Sequence, residues 1–81
     1  MIKVEFFGNY RLCFGVAEIS VEADNVGGML KEIKCRFPQM KKEIDRSLLF
    51  LNDRALMGIF RNRVRLKDGD KVLMMYPSAG G

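Results

Sequence analysis

Val26, Met29, Leu30, Ile33 and Phe37 recur at helical spacing, and no other stretch of this chain sustains such a stripe. One amphipathic helix needs one apolar surface to lie on, so the remaining apolar runs must supply a sheet with a single covered face. Lys31, Glu32, Lys34 and Arg36 fall on the wet side of the helix. Asn25 stands at the N-cap, where its side-chain oxygen can accept from the free amides of the first turn. Pro38 ends the helix, because proline pushes the residue before it out of the helical region. Gly27 and Gly28 weaken the first turn and are expected to allow close packing on the sheet.

The strands follow from alternation. Ile2, Val4 and Phe6 oppose Lys3 and Glu5, which predicts a strand over Ile2–Phe7. A second is predicted over Val16–Glu22, antiparallel to the first if a hairpin joins them. Tyr10–Gly15 between them reads as a turn or a helical bend. Gln39–Ser47 holds Met40 and Ile44 four apart, enough for one loose helical turn. Leu48–Leu51 is a short continuous apolar run and reads as a central strand, closed by the turn pair Asn52-Asp53. Arg54–Leu66 predicts at most short edge strands. Asp68-Gly69-Asp70 is a tight turn before the last strand, Lys71–Tyr76.

The order is therefore strand, strand, helix, strand, short strand, strand. A crossover through the helix brings a later strand parallel to the first. The expected class is α+β, a β-grasp or ubiquitin-like fold: a mixed sheet of four to five strands with one main helix on one face. With 81 residues there is room for one domain, taken as 1–76, followed by a flexible tail over 77–81.

Composition removes several functions. The chain has no histidine, so it lacks the commonest general base near neutral pH. Cys13 and Cys35 have no close-spaced partner for a zinc site and are expected as buried or half-buried thiols. No phosphate loop, nucleophile elbow or carboxylate pair is present: Gly27-Gly28 is followed by Met29-Leu30 instead of lysine and a hydroxyl. No bound cofactor and no active site of its own is expected. No apolar run approaches the roughly 20 residues of a membrane span, and Lys3 and Glu5 interrupt the N-terminal one, so the expected location is the cytoplasm.

The sequence ends in Gly80-Gly81, after Lys71–Tyr76 and the breaker Pro77-Ser78-Ala79. Two glycines in a row can stay extended and enter a narrow channel without steric cost. A carboxylate presented that way can become the substrate of another enzyme's active site. The plain alternative is a frayed end.

Phe50-Leu51-Asn52, Leu66–Val72 and Tyr76-Pro77-Ser78-Ala79-Gly80-Gly81, with Phe6-Phe7-Gly8 and Arg36-Phe37-Pro38, occur in the order and spacing of a known family. On these residues the chain resembles the small MoaD/ThiS sulfur carriers, and within them most closely the small subunit of molybdopterin synthase. Asp53 and Ser78 stand where the family often has glycine and proline, and the net charge of +4 departs from its acidic tendency. The resemblance implies that a ubiquitin-activating-type adenylyltransferase uses ATP to adenylate Gly81. Sulfur from a persulfide donor then leaves a C-terminal thiocarboxylate, which the molybdopterin synthase large subunit takes into its site. In that scheme Gly81 carries the chemistry, Gly80 gives clearance and Pro77 fixes the exit direction. The alternatives are a ubiquitin-like modifier conjugated through Gly81, and a carrier for thiamine, tungsten cofactor or tRNA thiolation. A third is a β-grasp binding module whose Gly-Gly end is accidental.

The excess charge sits in one segment. Arg54, Arg61, Arg63, Arg65 and Lys67 are five cations with no acid between them, which leaves the rest of the +4 chain at −1. Arg61, Arg63, Arg65 and Lys67 would share one face if the segment were extended. A solvated edge protected by charge is the plainest reading. Docking to an acidic activating enzyme or synthase subunit is second, and nucleic acid is third, because Phe60 is the sole interleaved aromatic. Leu56, Met57, Ile59 and Phe60 show no clear period, and two of the four are expected in the core. Candidate partner contacts are Phe60, Arg61, Arg63, Arg65, Met75 and Pro77, with one of Met74 and Met75 facing outward.

Overall fold

Alternation builds β1 (Ile2–Phe7): Ile2, Val4 and Phe6 are buried, while Lys3, Glu5 and Phe7 take the opposite face. The computed structural model describes residues 1–77. Tyr10–Gly15 resolves into a helix, α1 (Asn9–Phe14), whose Tyr10 and Phe14 are buried one turn apart. Gly15 closes it in the left-handed conformation at φ 76°. The chain must then turn back toward β1, so β2 (Glu18–Val21) starts at residue 18 and not at Val16. It pairs antiparallel with β1, from Ile2 opposite Val21 to Glu5 opposite Glu18.

The main helix is α2 (Val26–Arg36), with Val26, Met29, Leu30 and Ile33 buried. The Gly28 N–H donates to the Asn25 side chain at 2.7 Å, the expected cap. Phe37 leaves the helical region at φ −131° just before Pro38. The close approach at the glycines has a different partner from the one expected. A Cβ on Gly27 would lie 3.2 Å from the carbonyl of Asn62, so the helix start packs on the turn at 61–63 and not on the sheet.

A 3-10 turn (Pro38–Met40) leads into α3 (Lys41–Arg46), more helix than the single turn expected, with Ile44 buried. β3 (Leu48–Leu51) and β4 (Arg54–Leu56) form a hairpin around Asn52 and Asp53, both at positive φ (48° and 73°). A second 3-10 turn (Arg61–Arg63) follows, and β5 (Lys71–Met75) completes the sheet, one residue shorter than predicted. The strand order is β2-β1-β5-β3-β4, so β5 is central and β3 lies beside it. β1 and β5 are parallel, and the other pairs are antiparallel.

This mixed five-stranded sheet with helices is the β-grasp, ubiquitin-like arrangement. The inner sides of β1, β3 and β5 share one core with α1, α2 and α3. Cys13 and Cys35 are both exposed, against expectation. Cys13 precedes the buried Phe14 and Cys35 lies two past the buried Ile33, positions that turn them away from the core. No helix among the described residues is long and apolar enough to cross a membrane.

Candidate functional site

The root of the C-terminal tail is held from three sides. Met75, the last residue of β5, lies opposite Phe7 of β1 and Leu48 of β3. Met74 is fully buried beside it, and Met75 is half-buried on the other face. One outward methionine was expected, and Met75 is that residue. Tyr76 then packs its ring edgewise on Tyr10, with centroids 5.3 Å apart. Tyr10 stacks on Phe14 at 4.7 Å, and Phe14 on Phe37 at 4.4 Å, so the root stands on a continuous aromatic cluster.

That cluster carries one polar anchor. The Tyr10 hydroxyl donates to the Glu43 carbonyl at 2.8 Å and shares a hydrogen bond with the Ser47 hydroxyl. The Ser47 hydroxyl, 2.9 Å from the same carbonyl, supplies the proton of its bond with Tyr10, and the pair ties α3 to α1 beneath the tail. Burial pushes the Tyr10 phenol up to about 12, so it stays neutral and hydrogen-bonded at any ordinary pH. Pro77 is half-buried and is the last described residue. Gly80 and Gly81 lie outside the described residues.

The sheet face away from the helices changes character along its length. At the start of β1 and β5 it is ionic, with Lys71 3.5 Å from Glu5 and Lys3 3.9 Å from Glu18. At the tail end it is apolar: Phe7 and Leu48 are about half exposed and flank Met75, while Leu73 and Phe50 form the next row. Phe7, Leu48, Phe50 and Leu73 are site residues that the sequence reading passed over. The available signal was an apolar residue at the polar-side phase of an alternating strand, as at Phe7 after Lys3 and Glu5.

Over residues 61–63 the basic segment is not extended, and its four alternate cations do not all share one face. Arg61–Arg63 is a 3-10 turn, because this stretch has no strand partner and closes on itself through the bond from the Arg63 N–H to the Phe60 carbonyl. Arg61 is half-buried and donates to the carbonyls of Ser47 (2.6 Å) and Asp45 (2.7 Å), clasping the turn to the end of α3. Arg63 lies over the Phe60 ring at 4.9 Å. Val64 and Leu66 are tied to the entry of α2 through Val26 N–H to Val64 O (3.0 Å) and Leu66 N–H to Asp24 O (2.9 Å).

Of the four unassigned apolar residues, only Leu56 packs against the core; Met57, Ile59 and Phe60 are 83%, 90% and 60% exposed. The expectation of two in the core fails because β4 ends at Leu56 and the following loop swings outward. A shallow groove lined by Leu48, Leu56, Met57 and Arg61 joins this loop to the apolar end of the sheet. Of the predicted partner contacts, Met75 and Pro77 thus sit together at the tail root. Phe60, Arg61, Arg63 and Arg65 are spread around a separate loop.

Solved structures share this arrangement. A protein assigned as molybdopterin converting factor subunit 1 from Pyrococcus furiosus superposes with TM-score 0.79 at 28% identity, covering 95% of this chain and 97% of its own. Small archaeal modifier protein 1 from Methanosarcina acetivorans gives 0.85 at 21% identity, covering 99% and 95%. The complex of subunits 1 and 2 of the molybdopterin-converting factor from Helicobacter pylori contains a chain at 0.69 and 22% identity, covering 99% and 97%. The last two likenesses establish the fold alone. No curated protein matches the chain by sequence. The profile of the ThiS family matches residues 4–81, nearly the whole chain, and the protein is a member of the ThiS family.

Proposed function

We propose that this protein is a sulfur carrier whose Gly81 is converted to a thiocarboxylate, and that it serves molybdopterin synthesis as the small subunit of the synthase. The observation that carries the reading is the family match running through Gly80 to Gly81, just past a strand whose end is fixed on the aromatic cluster. In the reaction, a Gly81 carboxylate oxygen attacks the α-phosphorus of ATP on an activating enzyme and pyrophosphate leaves. The terminal sulfur of a persulfide attacks the acyl carbon and AMP leaves. A second thiolate splits the acyl disulfide so formed, which frees the thiocarboxylate and leaves a disulfide behind. A plain carboxylate is a poor electrophile, and adenylation supplies the leaving group. The chain itself binds no cofactor and contributes no active site, and it works in the cytoplasm.

The molybdopterin assignment draws its support from the likeness to the Pyrococcus protein. The apolar end of the open sheet face, around Phe7, Leu48 and Met75, suits burial against the subunit that receives the tail. The likeness to an archaeal modifier favours a second reading, conjugation of Gly81 to lysines. Protein recovered from its native cells separates the two. A C-terminal thiocarboxylate pool, with the chain bound to a larger synthase subunit, supports the carrier. Isopeptide adducts on other proteins, without a thiocarboxylate, support the modifier.

A further inference from the structure

Arg61 and Arg63 have structural partners, but among the described residues the guanidinium groups of Arg54 and Arg65 and the ammonium group of Lys67 make no hydrogen bond or ion pair. These three cations line one cleft of about 440 Å³, between β4 and the segment 64–67. Leu51, Leu56 and Val64, partly buried against the core, give it an apolar floor. Asp70 is the one acid on its wall, and both of its oxygens are taken: Asn52 Nδ2 donates to one at 3.1 Å, the Lys67 N–H to the other at 2.8 Å. Those bonds hold the Asp70 carboxyl below its usual range, so it stays charged and the cleft carries three positive charges against one negative. β4 is the last strand of the sheet, and among the described residues its outer backbone has no strand partner.

We propose that this cleft docks an extended, acidic segment of a partner protein, laid beside β4. An apolar side chain of that segment rests on Leu51, Leu56 and Val64, and its carboxylates meet Arg54, Arg65 and Lys67. The free strand edge favours an extended peptide, which can continue the sheet. The lining contains no aromatic ring, which removes the stacking that single-stranded nucleic acid uses. Leu51 pairs with Val72 while Leu48 pairs with Met75, so the cleft lies about 10 Å along the sheet from the tail root. If the same partner receives Gly81, as the proposed function has it, the chain is held at two points; peptide docking itself does not require Gly81.

The test uses a short fluorescein-labelled peptide alternating glutamate with leucine and valine, a lysine counterpart, and a single-stranded oligonucleotide of equal charge. The acidic peptide is expected to bind in fluorescence anisotropy and to shift the amide resonances of 54–56 and 64–67. Arg54→Glu with Arg65→Glu weakens binding about tenfold or more, whereas Lys41→Glu with Lys42→Glu, which removes the same charge elsewhere, has far less effect. Should the reversals disturb the fold, Arg54→Ala with Arg65→Ala gives the same ranking. A chain lacking Gly80 and Gly81 binds the peptide equally well, so this result is independent of the sulfur chemistry. Equal losses in the two double variants, shifts confined to another surface, or tighter binding of the oligonucleotide would overturn the proposal.

Discussion

β5 and β4 end very differently, and the contrast separates what the molecule holds rigid from what it leaves on the surface. β5 has a strand on each side, buries Val72 and Met74, and passes directly into Tyr76 on the aromatic cluster. β4 has three residues and one neighbour, and runs into Met57, Ile59 and Phe60, all turned to solvent. The later part of that segment is held by backbone bonds to the start of α2, by the Arg61 clasp and by Leu66 and Val64, the first buried and the second packed against the core. For the proposed delivery of Gly81 into a partner's site a fixed root is an advantage, because an ordered root lowers the entropy lost on docking. A recognition surface can instead be built from exposed side chains on a pinned loop.

The contrast can be broken at its rigid end first. Tyr10→Ala removes a buried ring and its hydroxyl anchor, and is expected to lower unfolding stability by about 3–5 kcal/mol in urea denaturation. A loss near zero would show that the cluster does not support the root. The same residue sets an alkaline limit. Its folded pKa, about 12, lies above the ordinary value of 10.0, so its contribution is complete below pH 10 and declines as pH rises toward 12. A Tyr10→Phe chain should lack that component of the decline.

At the other region the expected effects are smaller and unequal. Arg61→Ala gives up two charge-assisted bonds to backbone carbonyls and should cost about 1.5–3 kcal/mol. Arg63→Ala loses only an exposed contact with Phe60 and should cost about 0.5–1 kcal/mol. Equal costs would dissolve the distinction between clasp and surface cation.

The legible parts of this fold were those governed by local periodicity. The α2 stripe, its Asn25 cap, the Pro38 stop, the Asn52-Asp53 hairpin and the strand phases of β1 and β5 follow from near neighbours in sequence. What stayed hidden depends on contacts far apart in the chain. Tyr10 meets Ser47 across 37 positions, and that distant contact favours the helical bend over the turn, between which so short a stretch left the choice open. Arg61, Arg63 and Arg65 alternate in sequence, but the missing strand partner let the chain close into a turn and scatter them. Gly27 is small for the sake of Asn62, a neighbour that no helical pattern points to. The Gly80-Gly81 signal was plain from composition and order, whereas the apolar surface beside it emerged only when β1, β3 and β5 were placed side by side.

The central claim is that an intact domain presents Gly81 for sulfur transfer. Its most direct test is the intact mass of the full chain and of a Gly81-deleted chain, each incubated with ATP, a sulfur donor and the host's activating enzyme. The account predicts a gain equal to one oxygen exchanged for sulfur in the full chain and none in the deleted one, with the same thermal midpoint for both. A gain that survives the deletion, or no gain in the full chain while a known carrier is converted alongside it, would contradict the account.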